Sequence, residues 1–219
     1  MKYLLVTLLT FILSNSAFAQ SDTLVLQQPS FEQEPTVGLH TEQAINGWTD
    51  CSVRMFPNES AADIHPAGLW GVTVPAQHGE SYLGLVTRAN ETYESVSQEL
   101  QSTLQAGKCY SISVHLAKSK QFTSGASTAK PDENVDFTKP IVLQVWGGMH
   151  HCDRLELLAT TGAVDHAKWR QYELILRPEQ DLSSITISAY WQLPTAFPYF
   201  GHILIDNISP IVSQDCGKR

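Results

Sequence analysis

The run His150-His151-Cys152-Asp153 looks like a metal-binding sequence, because imidazole and thiolate both suit zinc or copper. Adjacent strand residues point to opposite faces, however, so the two imidazoles would not easily share one ion. A disulfide at Cys152 would remove its sulfur as well. A copper site built on an N-terminal His is disfavoured, since the mature chain is expected to begin at Gln20. The usual hydrolytic signatures are absent: there is no H-E-x-x-H, no G-x-S-x-G and no phosphate-cradling glycine loop. Asp50, Asp63, Glu80 and Glu94 could supply a carboxylate pair for glycoside cleavage, but such a pair is defined by proximity in space.

Aromatic residues give the stronger functional lead. Sugars are held by stacking their apolar C–H faces on Trp and Tyr rings while polar neighbours bond the hydroxyls. Trp70, Trp146, Trp191, Tyr199 and Phe200 all fall beside loops or strand ends. The segment from Trp191 to Phe200, bracketed by Pro194 and Pro198, is the densest cluster, and a site on a sheet face would instead use Trp146 with Gln144. Large aromatics in a β-sandwich are more often core residues, which is the competing reading for each of them.

These side chains must be positioned by an exported chain. Lys2, the apolar stretch Leu4 to Leu13 and Ala17-Phe18-Ala19 form a secretory signal peptide over residues 1–19. The stretch is about ten residues, half the roughly twenty that a membrane-spanning helix needs, and no later segment qualifies. Residues 20–219 are therefore expected as a single exported domain, periplasmic, at the cell surface or extracellular. The formal charge of −8 becomes −9 when Lys2 leaves, which provides no footprint for nucleic acid or an anionic membrane. Charged residues make up 16% and apolar ones 42%, so the chain can bury a core. The four cysteines, Cys51, Cys109, Cys152 and Cys216, favour two disulfides over a zinc site. Three connectivities remain open. Asn58, Asn90 and Asn207 fit the glycosylation triplet, but the short bacterial-type leader argues against modification.

Period-two alternation dominates the mature chain. Tyr110, Ile112, Val114 and Leu116 alternate with Ser111, Ser113 and His115, and similar runs occur at 172–177 and 185–189. Further strands are predicted near 23–28, 81–86, 93–99, 140–147 and 200–208, with a turn at Gly107-Lys108 and a helical turn near Glu99 to Leu104. The polar stretch Lys118 to Lys139 reads as a long surface loop, and the irregular region Asn46 to His78 as one that a bridge from Cys51 would pin. The pattern predicts an all-β, antiparallel sandwich.

Three segments together resemble the galactose-binding-like jelly rolls, the fold of many carbohydrate-binding modules and bacterial cell-surface domains. They are Pro29-Ser30-Phe31-Glu32, Leu104-Gln105-Ala106-Gly107-Lys108-Cys109-Tyr110 and Ile203-Leu204-Ile205-Asp206-Asn207-Ile208, in matching order and spacing over nearly the whole mature chain. The resemblance implies a jelly-roll β-sandwich whose first motif is an N-terminal strand packed beside the last strand. It also implies a structural calcium held by Glu32 and Asp206, with Asn207 where the family often has a second acid. The implied partner is a glycan or other cell-surface component. A protein partner and, less favoured, a polysaccharide-acting enzyme are the alternatives, because one such fold hosts many activities.

Overall fold

The computed structural model describes residues 23–36, 45–55, 59–125 and 134–217. The expected leader at 1–19, Gln20, Asn58 and the tip of the 118–139 segment lie outside them. In chain order the strands are β1 (Thr23–Leu24), β2 (Thr49–Asp50), β3 (Asp63–His65), β4 (Tyr82–Thr87), β5 (Ser95–Leu104), β6 (Cys109–Ala117), β7 (Thr123–Gly125), β8 (Asn134–Asp136), β9 (Val142–Gly148), β10 (Glu156–Thr160), β11 (Arg170–Leu176), β12 (Leu182–Tyr190), β13 (Gly201–Asp206) and β14 (Ile211–Gln214).

Two antiparallel sheets form the sandwich. The smaller runs β10-β9-β12-β5-β2. The larger runs β1-β14-β6-β13-β4-β3, with β11 on the other side of β6. Alternate residues of each sheet meet in one apolar core: Leu83, Leu85, Ile112, Val114, Ile203 and Ile205 from the larger, and Val96, Leu143, Val145, Ile185 and Ile187 from the smaller. Burial of this kind, worth about 25 cal/mol per Å² of apolar surface, is the main force holding the sheets face to face.

Over β4, β13 and the end of β6 the larger sheet is covered on its outer face too. Tyr82, Val86, Ala117 and Leu204 point away from the main core and pack under Val72, Phe122 and Phe137. This second layer explains why β4 and β13 are buried at every position, whereas a sheet with one wet face would alternate.

Three expectations are corrected. The predicted helical turn at Glu99 to Leu104 is the second half of β5, in register with β12 through Leu104↔Leu182 and Glu99↔Ser184. The 118–139 segment is not a plain surface loop. It forms the β7–β8 hairpin, whose flanking Phe122 and Phe137 stack with centroids 5.2 Å apart and bury in the second layer. Finally, Pro29 to Glu32 is a turn, not a strand: Phe31 has φ +54°, and the segment is tied to the end of β13 by Ile208 N–H donating to Pro29 O at 2.9 Å. The last strand is β14, which pairs with β1.

Of the three possible connectivities the chain adopts Cys51–Cys152 and Cys109–Cys216. The first bridge joins the end of β2 to the β9–β10 loop, and the second fastens the segment after β14 to the start of β6.

Candidate functional site: one sheet face and a carboxylate pair

Strand alternation decides what the outer face of the smaller sheet displays. Leu143 and Val145 point into the core, so Gln144 and Trp146 point out. The register sets Trp146 beside Thr186 on β12 and Leu157 on β10, and sets Gln144 beside Ser188 and Thr160. Trp146 is partly exposed, and its indole N–H donates to Gln144 Oε1 at 3.0 Å, which fixes the ring's orientation. Leu157 is 44% exposed next to it. An indole in a field of amide and hydroxyl groups is the combination that stacking and hydroxyl recognition of a sugar require.

Beside it, β12 and the first half of β5 are hydroxyl-bearing but closed. Ser95, Ser97, Ser184, Thr186 and Ser188 are fully buried although they point outward. The β9–β10 loop lies across them. Ser184 Oγ donates to His150 O at 2.7 Å, Ser183 Oγ to Met149 O at 2.6 Å and Thr186 Oγ1 to Asp153 O at 3.2 Å. The loop is held in its turn by Asp153, which accepts from the N–H groups of Met149 and His150. Arg154 then reaches Ser95 Oγ at 2.7 Å and the Tyr93 hydroxyl, with its guanidinium 4.7 Å from the Tyr93 ring centre. Glycine at 148 is required, because a Cβ there would overlap Asp153 and crowd Ser184 Oγ. The Ser188 hydroxyl and Arg154 Nε are buried without a partner.

The other aromatic candidates take different places. Trp191 is 6% exposed and donates from its indole N–H to Tyr199 O at 2.8 Å. The Tyr199 hydroxyl donates to Pro140 O and accepts from Gln192 N–H, both at 2.9 Å. Trp191 also meets Tyr93 and Tyr190 edge-on, forming an aromatic corner at the end of β12. Trp70 and Phe200 instead pack on the second layer, over the larger sheet. The six candidates therefore do not converge: Gln144 and Trp146 share one face, Trp191 and Tyr199 a neighbouring corner, and Trp70 and Phe200 the opposite side of the sandwich. Arg154, Tyr93 and Leu157 were not singled out in the sequence; the nearness of Arg154 to Cys152 was the sole local hint.

Glu32 and Asp206 do come together. Asp206 Oδ2 accepts from the N–H groups of Gln77 at 2.8 Å and His78 at 2.9 Å, and Glu32 Oε2 accepts from Glu80 N–H at 3.0 Å. The second oxygens, Glu32 Oε1 and Asp206 Oδ1, are buried and unpartnered. Gly79, at φ +64°, presses against the Glu32 carboxylate so closely that any Cβ would overlap it. Burial chiefly, and then the charge of Glu32, push the Asp206 carboxyl above its usual range, against the three backbone N–H groups that pull it down. Two neighbouring carboxylates with idle buried oxygens fit a hard cation whose remaining ligands are main-chain oxygens or water. Among the described residues no group of three or more His, Cys, Asp or Glu is placed to hold a metal, so His150 to Asp153 forms no such centre.

Of the acids considered for catalysis, Asp50 and Glu94 lie close enough to repel each other, but each is held by an arginine. Asp50 pairs with Arg54, and Glu94 with Arg88. Desolvation raises Glu94 to about 7 in spite of that arginine. Glu80 borders an open groove beside Glu32, lined also by Gln33, Glu34, Pro35 and Pro66. Asp63 is buried on β3.

No protein-family model matches the chain, and neither does any curated protein. Solved structures do. A cyclase from Fischerella sp., in its apo form, superposes with a TM-score of 0.54 at 11% identity, covering 91% of this chain and 100% of that one. The CBM22-1 xylan-binding domain of Xyn10C from Paenibacillus barcinonensis gives 0.42 at 14% identity over 88% and 96%. The K1 cleaved adhesin domain of Lys-gingipain from Porphyromonas gingivalis gives 0.46 at 8% over 85% and 96%. At such identities only the first overlap is close enough to count, and it counts for the fold alone. The fold is an antiparallel β-sandwich of two sheets.

Proposed function

We propose that the protein is a secreted, non-catalytic module that binds carbohydrate on the outer face of the smaller sheet. The observation that carries this reading is Trp146, a partly exposed indole fixed by Gln144 and flanked by the exposed Leu157 and Thr160 of β10. Export is supported by the leader-like first residues and by two closed disulfides, which persist in oxidising compartments. The catalytic alternative is less favoured because Asp50 and Glu94 are each engaged by an arginine.

A structural calcium at Glu32 and Asp206 belongs to the same proposal. When bound, the ion would supply the positive charge that the two carboxylates lack, while Asp206 keeps the 77–78 backbone fastened to the end of β13. A thermal-shift screen of the mature protein against polysaccharides, with calcium and with chelator, tests both parts, because a native-state ligand raises the melting temperature. A glycan-dependent rise supports the module. A rise with calcium and with no glycan leaves the metal and removes the carbohydrate.

A protein partner is the second reading, favoured by Leu193 and Phe197, which are 64% and 80% exposed in the β12–β13 loop. Loss of partner capture on Phe197→Ser, with glycan binding absent, would decide for it.

A further inference from the structure

The loop from Met149 to Arg154 does more than connect β9 to β10. It occupies the outer face of β12 and of the first half of β5, where a groove running across the smaller sheet from β10 would have to pass. Its carbonyls consume the hydroxyls of Ser183, Ser184 and Thr186, and its arginine consumes Ser95. Those are the donors and acceptors that would otherwise face a ligand. Cys152 is bonded to Cys51 beyond the end of β2, so the loop is tethered on the far side of the sheet from where it starts. Two parts stay uncovered: the exposed second half of β5 from Glu99 to Thr103, beyond the loop, and the β9–β10 column with Trp146, Leu157, Thr160 and the edge of Gln144. This column is walled along β12 by the loop and at Gly148 by the point where the loop leaves the sheet.

Resting on the reading of this face as a glycan site, we propose that the tethered loop makes it a terminal site. It takes the end sugars of a chain entering over β10, and excludes the interior of a polymer. Trp146 stacks the end sugar and the loop stops the chain from continuing across β12. Arg154 acts as a positioning residue that clamps the loop to β5.

The test measures binding of the mature protein to xylan, laminarin, galactan and polygalacturonate, each intact and partly hydrolysed, at equal mass. Affinity per unit mass is expected to rise in proportion to the number of chain ends produced. Unchanged or falling affinity on hydrolysis, with binding still lost in Trp146→Ala, would overturn the terminal site and leave carbohydrate binding standing. If no intact or hydrolysed glycan binds the wild-type protein, both proposals fall. A Cys51→Ser/Cys152→Ser variant, which frees the loop, should shift preference toward the intact polymer; no shift in a folded variant contradicts the role of the loop. The wild-type comparison decides alone if that variant does not fold.

Discussion

Glu32 and Asp206 illustrate how a buried charge invites a partner. An unsatisfied buried polar atom costs about 1–3 kcal/mol, more when charged, and each of these carboxylates holds one such oxygen. Calcium should therefore raise the melting temperature of the wild type. In Asp206→Asn that rise should disappear, while the melting temperature in chelator should stay level or increase, because the mutual repulsion is gone. Scanning calorimetry with and without calcium checks both signs. His65 presents the opposite case, a buried base with no acceptor. It is fully buried, stacks on Tyr82, meets Phe122 edge-on and has neither ring nitrogen bonded. Desolvation first, and then His202, lower it to about 3. His202, whose Nε2 accepts from Ser119 N–H, is lowered by burial to about 4. The unfolded chain takes up these protons below about pH 6.5 while the native one does not, so stability present above that pH is lost as pH falls toward the folded values. Glu94, raised to about 7, acts with the opposite sign and partly masks the effect in wild type. The comparison with His65→Phe isolates it: the wild type should lose about 2 kcal/mol relative to the variant between pH 8 and pH 5. Parallel urea midpoints across that range would contradict the buried neutral imidazole.

At the scale of elements, each disulfide fastens a segment that the strands alone do not hold. The Cys109–Cys216 bridge closes a loop across 107 residues and anchors the end of β14 to β6, where pairing stops at Gln214↔Cys109. Removing it as Cys109→Ala/Cys216→Ala should cost about 2–4 kcal/mol, measured by urea denaturation, with the strand content in circular dichroism retained. Reading elements from sequence succeeded where alternation was clean. The Tyr110 to Leu116 run is β6, and its neighbour in the sheet, β11, had been read from Tyr172, Leu174 and Leu176. It failed where a strand's environment depends on distant chain. The outer half of β5, with Leu100 and Leu104 one helical turn apart, imitates a helix until β12 pairs with it. Phe122 and Phe137 sit in polar sequence, and nothing local reveals that the larger sheet turns Tyr82, Val86 and Leu204 outward to meet them. The site divides in the same way. Trp146 and Gln144 were legible as alternate residues of one strand, whereas the loop that covers β12 is held by hydroxyl-to-carbonyl bonds between segments more than thirty residues apart.

On the scale of the whole molecule, the two faces of the sandwich have different fates. The larger sheet buries the outer face of β4, β13 and the end of β6 under a second aromatic layer, while β11 keeps Gln171, Glu173 and Ile175 exposed. The smaller sheet leaves the β9–β10 column and the second half of β5 open, and the column carries the indole. Opposite it, the carboxylate pair sits where the N-terminal segment meets the end of β13, so a cation there would brace the scaffold and stay clear of the ligand. On the proposed reading, ligand binding falls to β9 and β10, and substitutions at Trp70 or Phe200 should act through stability. The most direct measurement is isothermal titration of wild-type and Trp146→Ala protein with the polysaccharide panel in calcium. The account predicts saturable binding of at least one glycan by the wild type and a loss of about 2 kcal/mol or more in the variant, the size of an interface hot spot, with its melting temperature little changed. Binding that survives the substitution, or no binding by the wild type at all, would contradict it.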